Sequence, residues 1–368
     1  MSHVLLRAAA AVLAGSAVAL AGCGSESDTA ATGGGSGDVA AANDAVAQYT
    51  GEPTAFPVDT PLKTKPEGKT FAYLQCSTPA CALFAQILEP TQELLGYQLK
   101  VVKAGSSANE VQAAMDSILS LKPDGVLLPA SDPNQYLQQM QQLQDAGIPV
   151  SANGIVHPEK YGLEADFINN DTNELAGKLM ADWAVAQGGG EVAFYGVPEL
   201  SFTSIMQDGF DREMAAVCPS CEVRHVDIPV AEIGKSAPAR VVSDLQSHPN
   251  TKVAVFATAE AGTGLPAALK AARLDAKLVG WGPPPAILGY IKEGQWDAGL
   301  GVDAFTMLWA QVDALARMVG EESLTDGQKA GLPPIQFLAK EDITFDPTLG
   351  WVAYPDYTNT FAKLWGAA

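Results

Sequence analysis

From Lys69 onward, short apolar runs alternate with segments whose apolar residues recur at helical spacing. Thr70–Gln75 reads as a short apolar strand, residues 83–95 as a helix and Gln98–Lys103 as a second strand. Ser107 with Glu110 forms a capping box ahead of a helix whose apolar side runs Val111, Met115, Ile118 and Leu119. Residues 125–129 form a buried strand, Asp132-Pro133 opens the next helix as N-cap and first-turn proline, and residues 148–152 form a fourth strand. After Glu164 the rhythm restarts: residues 165–169 read as a strand, and Asp171 with Glu174 caps a helix that buries Leu175, Leu179 and Trp183. Strand-helix units follow at 191–195 with 203–217, 222–228 with 237–247, 253–258 with 264–273, 277–281 with 286–293, and 298–302 with 305–319. A strand-like run at 335–339 and a terminal segment close the chain. This rhythm predicts an α/β fold: two doubly wound lobes in succession, each a parallel sheet covered on both faces.

The first fifty residues follow a different pattern. A short n-region with Arg7 precedes residues 8–22, almost all Ala, Val, Leu, Gly and Ser, which has the character of a secretory h-region. Roughly 15 such residues fall short of the ~20 that span a bilayer as a helix, so cleavage before Cys23 is the stronger reading. Leu20-Ala21-Gly22-Cys23 resembles the lipobox of bacterial lipoproteins, which implies a signal peptide over 1–22, a diacylglyceryl-modified Cys23 and no other membrane attachment. Residues 24–51 are Gly, Ser, Ala, Thr and Asp with few large apolar side chains and are expected to be a flexible tether, and 52–68, with several prolines, leads onto the body without regular structure, so that 23–68 forms the linker.

Loss of residues 1–22 removes one base, Arg7, and no acid, leaving 21 basic and 42 acidic side chains and a formal balance of −21. Such a surface repels nucleic acid and anionic lipid, so neither is an expected partner. The 346 residues left exceed what one core usually holds, in keeping with two lobes. Beyond Cys23 the cysteines fall into two close pairs, Cys76 with Cys81 and Cys218 with Cys221. In an oxidising exterior each is read as a local disulfide. Neither pair has a second pair or a histidine nearby in sequence, which argues against zinc, and no metal or other cofactor is expected. Cys218-Pro219-Ser220-Cys221 closes a helix and precedes a strand, the reverse of a thioredoxin-type motif, and its expected role is to pin that turn.

Little in the sequence supports an enzyme. Gly262 to Ala267 matches the dinucleotide pattern GxGxxA, yet the next strand ends in Gly280-Trp281-Gly282 without the acidic residue that would hold a ribose. There is no Walker-type loop, HExxH or GxSxG, and His157, His225 and His248 are scattered near element ends. A hydrolase triad assembled by folding has no positive support.

Lys122-Pro123-Asp124-Gly125-Val126-Leu127-Leu128, then Ala146-Gly147-Ile148-Pro149-Val150, then Ile168-Asn169-Asn170-Asp171 with Gly177 six residues on, resemble in order and spacing the type I periplasmic binding proteins of sugar ABC transporters, ribose-binding-protein-like. The resemblance runs from about Lys69 to the C-terminus. It implies two lobes joined by three hinge strands, the N-terminal lobe comprising 69–163 and 304–334 and the C-terminal lobe 164–303 and 335–368. It further implies a monomeric, lipid-anchored extracytoplasmic receptor that captures a small molecule in the interlobe cleft and delivers it to an ABC permease, without catalysis. A sensor feeding a membrane receptor or kinase is the alternative. A DNA-binding relative of the same fold would carry a helical segment where this chain carries its export signal.

Ligands of open α/β sheets bind beyond the carboxyl ends of the strands. The candidate contacts are therefore Gln75, Ser77, Thr78, Ser131, Asp132, Asn153, Phe202, Thr203, Ser204, Glu260, Trp281 and Asp303. Each has a plainer alternative: helix capping for Asp132 and the hydroxyl residues, core packing for Trp281 and Phe202, a solvated or ion-paired position for Glu260 and Asp303. The Arg, Asn and Asp that commonly grip monosaccharides in the family correspond to Ser204, Ala259 and Gly282 here, so either the contacts come from elsewhere or the ligand is larger, less polar or aromatic, with a sugar as the default that the resemblance implies. A Cys76–Cys81 bridge would stiffen a ligand-facing turn.

Overall fold

The computed structural model describes residues 38–53, 56–331 and 334–368, which fall in one compact unit. The signal segment 1–22, Cys23 and residues 24–37 of the expected linker lie outside the described residues. In chain order the first lobe is built from α1 (Val39–Ala47), β1 (Thr70–Gln75), α2 (Pro79–Leu88), α3 (Thr91–Leu95), β2 (Gln98–Lys103), α4 (Ala108–Leu121), β3 (Gly125–Leu128), α5 (Leu137–Asp145), β4 (Val150–Asn153) and β5 (Ala165–Phe167), except that α1 packs on the second lobe. The second lobe contains α6 (Asn170–Ala186), β6 (Glu191–Gly196), α7 (Phe202–Val217), β7 (Glu222–Asp227), α8 (Ala237–Ser247), β8 (Thr251–Phe256), α9 (Leu265–Ala272), β9 (Lys277–Trp281), α10 (Pro285–Glu293) and β10 (Ala298–Val302). The chain then returns through α11 (Ala304–Val319) and α12 (Asp326–Ala330), crosses again to β11 (Ile335–Leu338), and ends in α13 (Tyr357–Leu364).

The first sheet has the order β2-β1-β3-β4-β5, all parallel, and the second β11-β10-β9-β8-β6-β7, parallel except for β11 against β10. Successive side chains alternate between faces, so Phe71 and Tyr73 of β1 enter one core and Ala72 and Leu74 the other. In β6 the same alternation sends Val192 and Phe194 to one side, Ala193 and Tyr195 to the other. Each sheet is thus buried on both faces, as parallel sheets require.

Four expectations are corrected. The helix expected over 83–95 is two helices, because Pro90 interrupts the backbone ladder between α2 and α3. Residues 165–167 are not the first strand of the second lobe but pair with β4 as the last strand of the first sheet; the helix after them is capped by Asn169, whose side chain accepts from Thr172 N, rather than by Asp171. The flexible-linker expectation fails over 38–53, while 56–68 has no helix or strand, as expected, but is docked rather than free. Asp38 caps α1, Ala42 is fully buried, and the segment docks through Asp38 N to Val217 O (2.8 Å) and Phe337 N to Tyr49 O (2.7 Å). Alanine suits both a helix and a close packing surface, so a composition without large side chains does not imply disorder here. Further on, Val58 enters the core of the first lobe and the Glu322 carboxylate accepts from the backbone of Lys63 and Thr64. The C-terminal segment also divides. β11 joins the second sheet, whereas Phe361 and Trp365 pack with Trp309 in the first lobe, so 357–365 does not belong with the second.

Three of the places where the chain passes between lobes lie side by side, at Ile168-Asn169, at Asp303 and beside Gly331 and Pro334. These segments are tied together by Ile168 N to Gly331 O (2.9 Å), Asn169 Nδ2 to Ala330 O (2.8 Å) and Asp303 N to Pro334 O (3.1 Å). Both disulfides form, Cys76–Cys81 and Cys218–Cys221, each with Cα atoms 5.4 Å apart. The second sits between the end of α7 and the start of β7, the turn it was expected to pin.

Candidate functional site

The carboxyl ends of both sheets face a single cavity of about 160 Å³. From the first lobe come the loop after β1 with the start of α2 (Cys76, Thr78, Ala80, Cys81, Phe84), the loop after β3 (Pro129, Ala130) and the end of β4 (Asn153, Gly154). Opposite them lie Leu200 and Phe202 after β6, Thr258 and Glu260 after β8, and Trp281 with the run Gly282 to Pro285 after β9. The hinge contributes Ile168, Val302 and Phe305, and the irregular segment before α13 contributes Trp351. The walls are thus mostly aromatic, aliphatic and proline; among the lining residues there is no Lys, Arg or His, and the one acid is Glu260.

Glu260 joins the lobes. It stands on a 3-10 turn, Ala259–Gly262, of the second lobe, and its Oε1 accepts from Ala80 N of the first at 2.8 Å. Thr78 precedes α2 but makes no side-chain cap, and Pro79 carries no N–H, so the helix leaves free donors at its start. The carboxylate from the opposite lobe fills that role, where the helix dipole favours negative charge. Burial pushes the Glu260 carboxyl above its ordinary range, and hydrogen bonds from Ala80 and Thr78 oppose that rise. The Cys76–Cys81 disulfide encloses this same turn. Nearby, Ser201 Oγ donates to Ser131 O across the lobes at 3.4 Å.

Five of the twelve sequence candidates line the cavity together: Thr78, Asn153, Phe202, Glu260 and Trp281. Asn153 is also stitched into the scaffold, its Nδ2 donating to Gln311 Oε1 at 3.0 Å. Trp281 is both wall and core, 4% exposed and packed in the second lobe's cluster. The others are outside the lining. Gln75 ends β1 half-buried, and Ser77 is exposed on the disulfide loop. Asp132 caps the turn at Pro133–Tyr136, its carboxylate accepting from Asn134 N. The Ser131 hydroxyl pairs with Tyr136. Thr203 is buried and donates to Val197 O at 2.9 Å, while Ser204 is exposed and donates to Ser201 O. Asp303 is fully buried, neither solvated nor ion-paired: it caps α11, accepting from Thr306 N and Thr306 Oγ1, and holds Ala353 N at 3.0 Å. Burial raises its pKa.

Sequence reasoning missed Phe84, Phe305 and Trp351. Phe84 lies in the second turn of α2 and Phe305 in the first turn of α11, where a reading focused on loops does not look; a helix entering from a strand's carboxyl end was the available signal. Trp351 lies in a stretch without periodic pattern, and only the path of the chain brings it to the cleft.

The family model described as periplasmic binding protein domain matches residues 83–323. No curated protein sequence matches the chain. Among solved structures, the 5-methylthioribose transporter solute binding protein of Thermotoga lettingae TMO, in complex with 5-methylthioribose, is similar at TM-score 0.68 and 16% identity, over 83% of this chain and 99% of that one. An ABC sugar transporter subunit from Rhodobacter sphaeroides 2.4.1 is similar at TM-score 0.65 and 18% identity, over 75% of this chain and 99% of the other. A putative LacI transcriptional regulator from Bacteroides fragilis reaches TM-score 0.64 at 16% identity, over 75% and 99%, so the fold alone serves more than one role.

Proposed function

Since the chain belongs to the periplasmic binding protein domain family, we propose that it is an extracytoplasmic solute receptor, lipid-anchored through Cys23, that captures a small molecule between its lobes and presents it to an ABC permease. The observation that carries this reading is the cavity itself: it lies at the carboxyl ends of two facing sheets, and its walls come from both lobes and the hinge. A ligand that touches both sides at once favours the closed arrangement over the open one, and the binding energy is thereby turned into a shape that a permease can recognise. The contacts we assign are Thr78, Asn153, Phe202, Glu260 and Trp281. No covalent step is needed. Related structures carry ligands such as 5-methylthioribose, a sugar bearing an apolar thioether, in keeping with a cleft that has fewer polar groups than a free monosaccharide requires.

The test is a screen of sugars, modified sugars and aromatic metabolites against the intact protein, read by solution scattering and calorimetry. Saturable binding with compaction is the expected result, and turnover of a compound would replace capture with catalysis. For the anchor, metabolic labelling with a fatty acid is expected to mark the wild-type chain and not Cys23→Ala, which should appear in the medium.

A further inference from the structure

We propose that the ligand is a non-anionic aryl compound with a hydrogen-bond donor at one end, an inference that rests on the capture reading above. Three observations carry it. The first is the wall. Phe84 from the first lobe, Phe305 at the hinge, and Phe202, Trp281 and Trp351 on the other side surround the space with rings, whose faces favour stacked or edge-on contact with another ring. The second is charge. Among the residues that line the cavity none is basic, so an enclosed carboxylate, phosphate or sulfate meets no counter-charge, and it lies beside the acid Glu260. The third is the small number of polar groups. Asn153 Nδ2 is committed to Gln311 and Leu128, and Glu260 Oε1 already accepts from Ala80 N. A fully hydroxylated sugar has donors on every edge and finds few acceptors here, whereas a single donor is met by the remaining capacity of the Glu260 carboxylate. The space also fits: apolar cavities of about 150 Å³ take up benzene, and this one measures about 160 Å³.

The test uses the full chain and isothermal calorimetry with four probes, benzamide, 4-methylphenol, benzoate and glucose. Benzamide and 4-methylphenol are expected to bind, with benzoate weaker than isosteric benzamide by about tenfold or more and glucose weaker still. Phe84→Ala, at a half-buried position of α2, should weaken the ring compounds by about tenfold or more while the unliganded protein still melts cooperatively. Trp281→Phe, which keeps a ring in the core of the second lobe, should weaken them as well. Benzoate binding as well as benzamide, or glucose binding better than both, overturns the ligand class and leaves capture standing. Silence from all four probes also overturns the class, and capture then depends on the wider screen. Benzamide binding unaffected by both variants places the compound outside the cleft and overturns the assignment.

Discussion

At the residue scale the informative side chains are buried carboxylates. Asp166 on β5 is 7% exposed; its Oδ1 accepts from Ile155 N at 3.2 Å, while Oδ2 has no partner. Burial holds this carboxyl well above its ordinary value. The folded state therefore binds the proton more tightly than the unfolded chain does. Its contribution to stability is full below the unfolded pKa, near 4, and is lost as pH rises towards the folded value. Asp166→Asn is expected to be more stable than the parent at pH 7 by ~1 kcal/mol or more, and the gap should close as pH falls towards 4. Thermal unfolding of both proteins across that range checks the sign; a gap that widens on acidification would contradict it. Burial raises the Asp313 carboxyl as well, but this carboxylate is paired and its partners oppose the rise. It accepts from Arg317 Nε, from Gln328 Nε2 at 2.7 Å and from Trp365 Nε1 at 2.7 Å, all in the interior. Asp313→Ala leaves the buried guanidinium only Glu322 and Thr60 O and removes the acceptor of Trp365 at the end of α13, for an expected loss of about 3–5 kcal/mol in denaturant unfolding.

At the element scale, helix contact distance sets the outcome of the simplest substitution. A Cβ at Gly177 of α6 would overlap Met206 O of α7, and one at Gly209 would overlap Glu174 O, so the two glycines let the helices meet backbone to backbone. Glycine to alanine in an exposed helix interior gains about 1 kcal/mol. Here overlap with a backbone oxygen costs about 1–3 kcal/mol and wins. Gly177→Ala should lower the melting temperature, and a rise would show that the helices can separate freely. The cleft turn gives a second prediction. Replacing Cys76 and Cys81 together by Ser frees a loop whose closure is worth about 2 kcal/mol in chain entropy. Both stability and ligand affinity should fall, measured by calorimetry, because the turn that presents Thr78 and Ala80 must then be ordered during binding.

At the scale of the whole molecule, function depends on how the lobes meet. The first hinge crossing places a β-branched residue, Ile168, at φ +56°, a conformation that costs on the order of 1–3 kcal/mol and is held by the Ile168 N to Gly331 O bond. Across the cleft, Glu260 closes on the start of α2. Removing it in Glu260→Ala forfeits a hydrogen bond to a charged group, ~1.5–3 kcal/mol, and should shift the population towards open lobes. Scattering is expected to show a larger radius of gyration, and ligand affinity should drop about tenfold or more. Glu260→Gln keeps an acceptor and should recover most of the closure. Equal radii for the parent and the Ala variant would remove Glu260 from the closing contact.

The sequence by itself determined the class of fold. β1 and β2 were legible to the residue, Thr70–Gln75 and Gln98–Lys103, because period 2 and period 3.6 are local consequences of backbone geometry. Local chemistry also gave the Ser107–Glu110 capping box and the two short-range disulfides. Tertiary structure decided what depends on residues far apart in the chain. Strand order is not written in strand composition, so β5 read as the start of the second lobe although it completes the first sheet. The docking of α1 needed a partner surface on α6 and α7 that no window of sequence contains. The site divides in the same way. Glu260 and Trp281 were visible as residues ending strand units, but Asp303 looked equivalent to them and is a buried cap, because which way a carboxylate is used depends on its neighbours in space. The ring-lined cleft, from Phe84 to Trp351, exists only where distant segments converge, and that convergence is set by two finished lobes whose sheets turn their carboxyl ends toward one cavity.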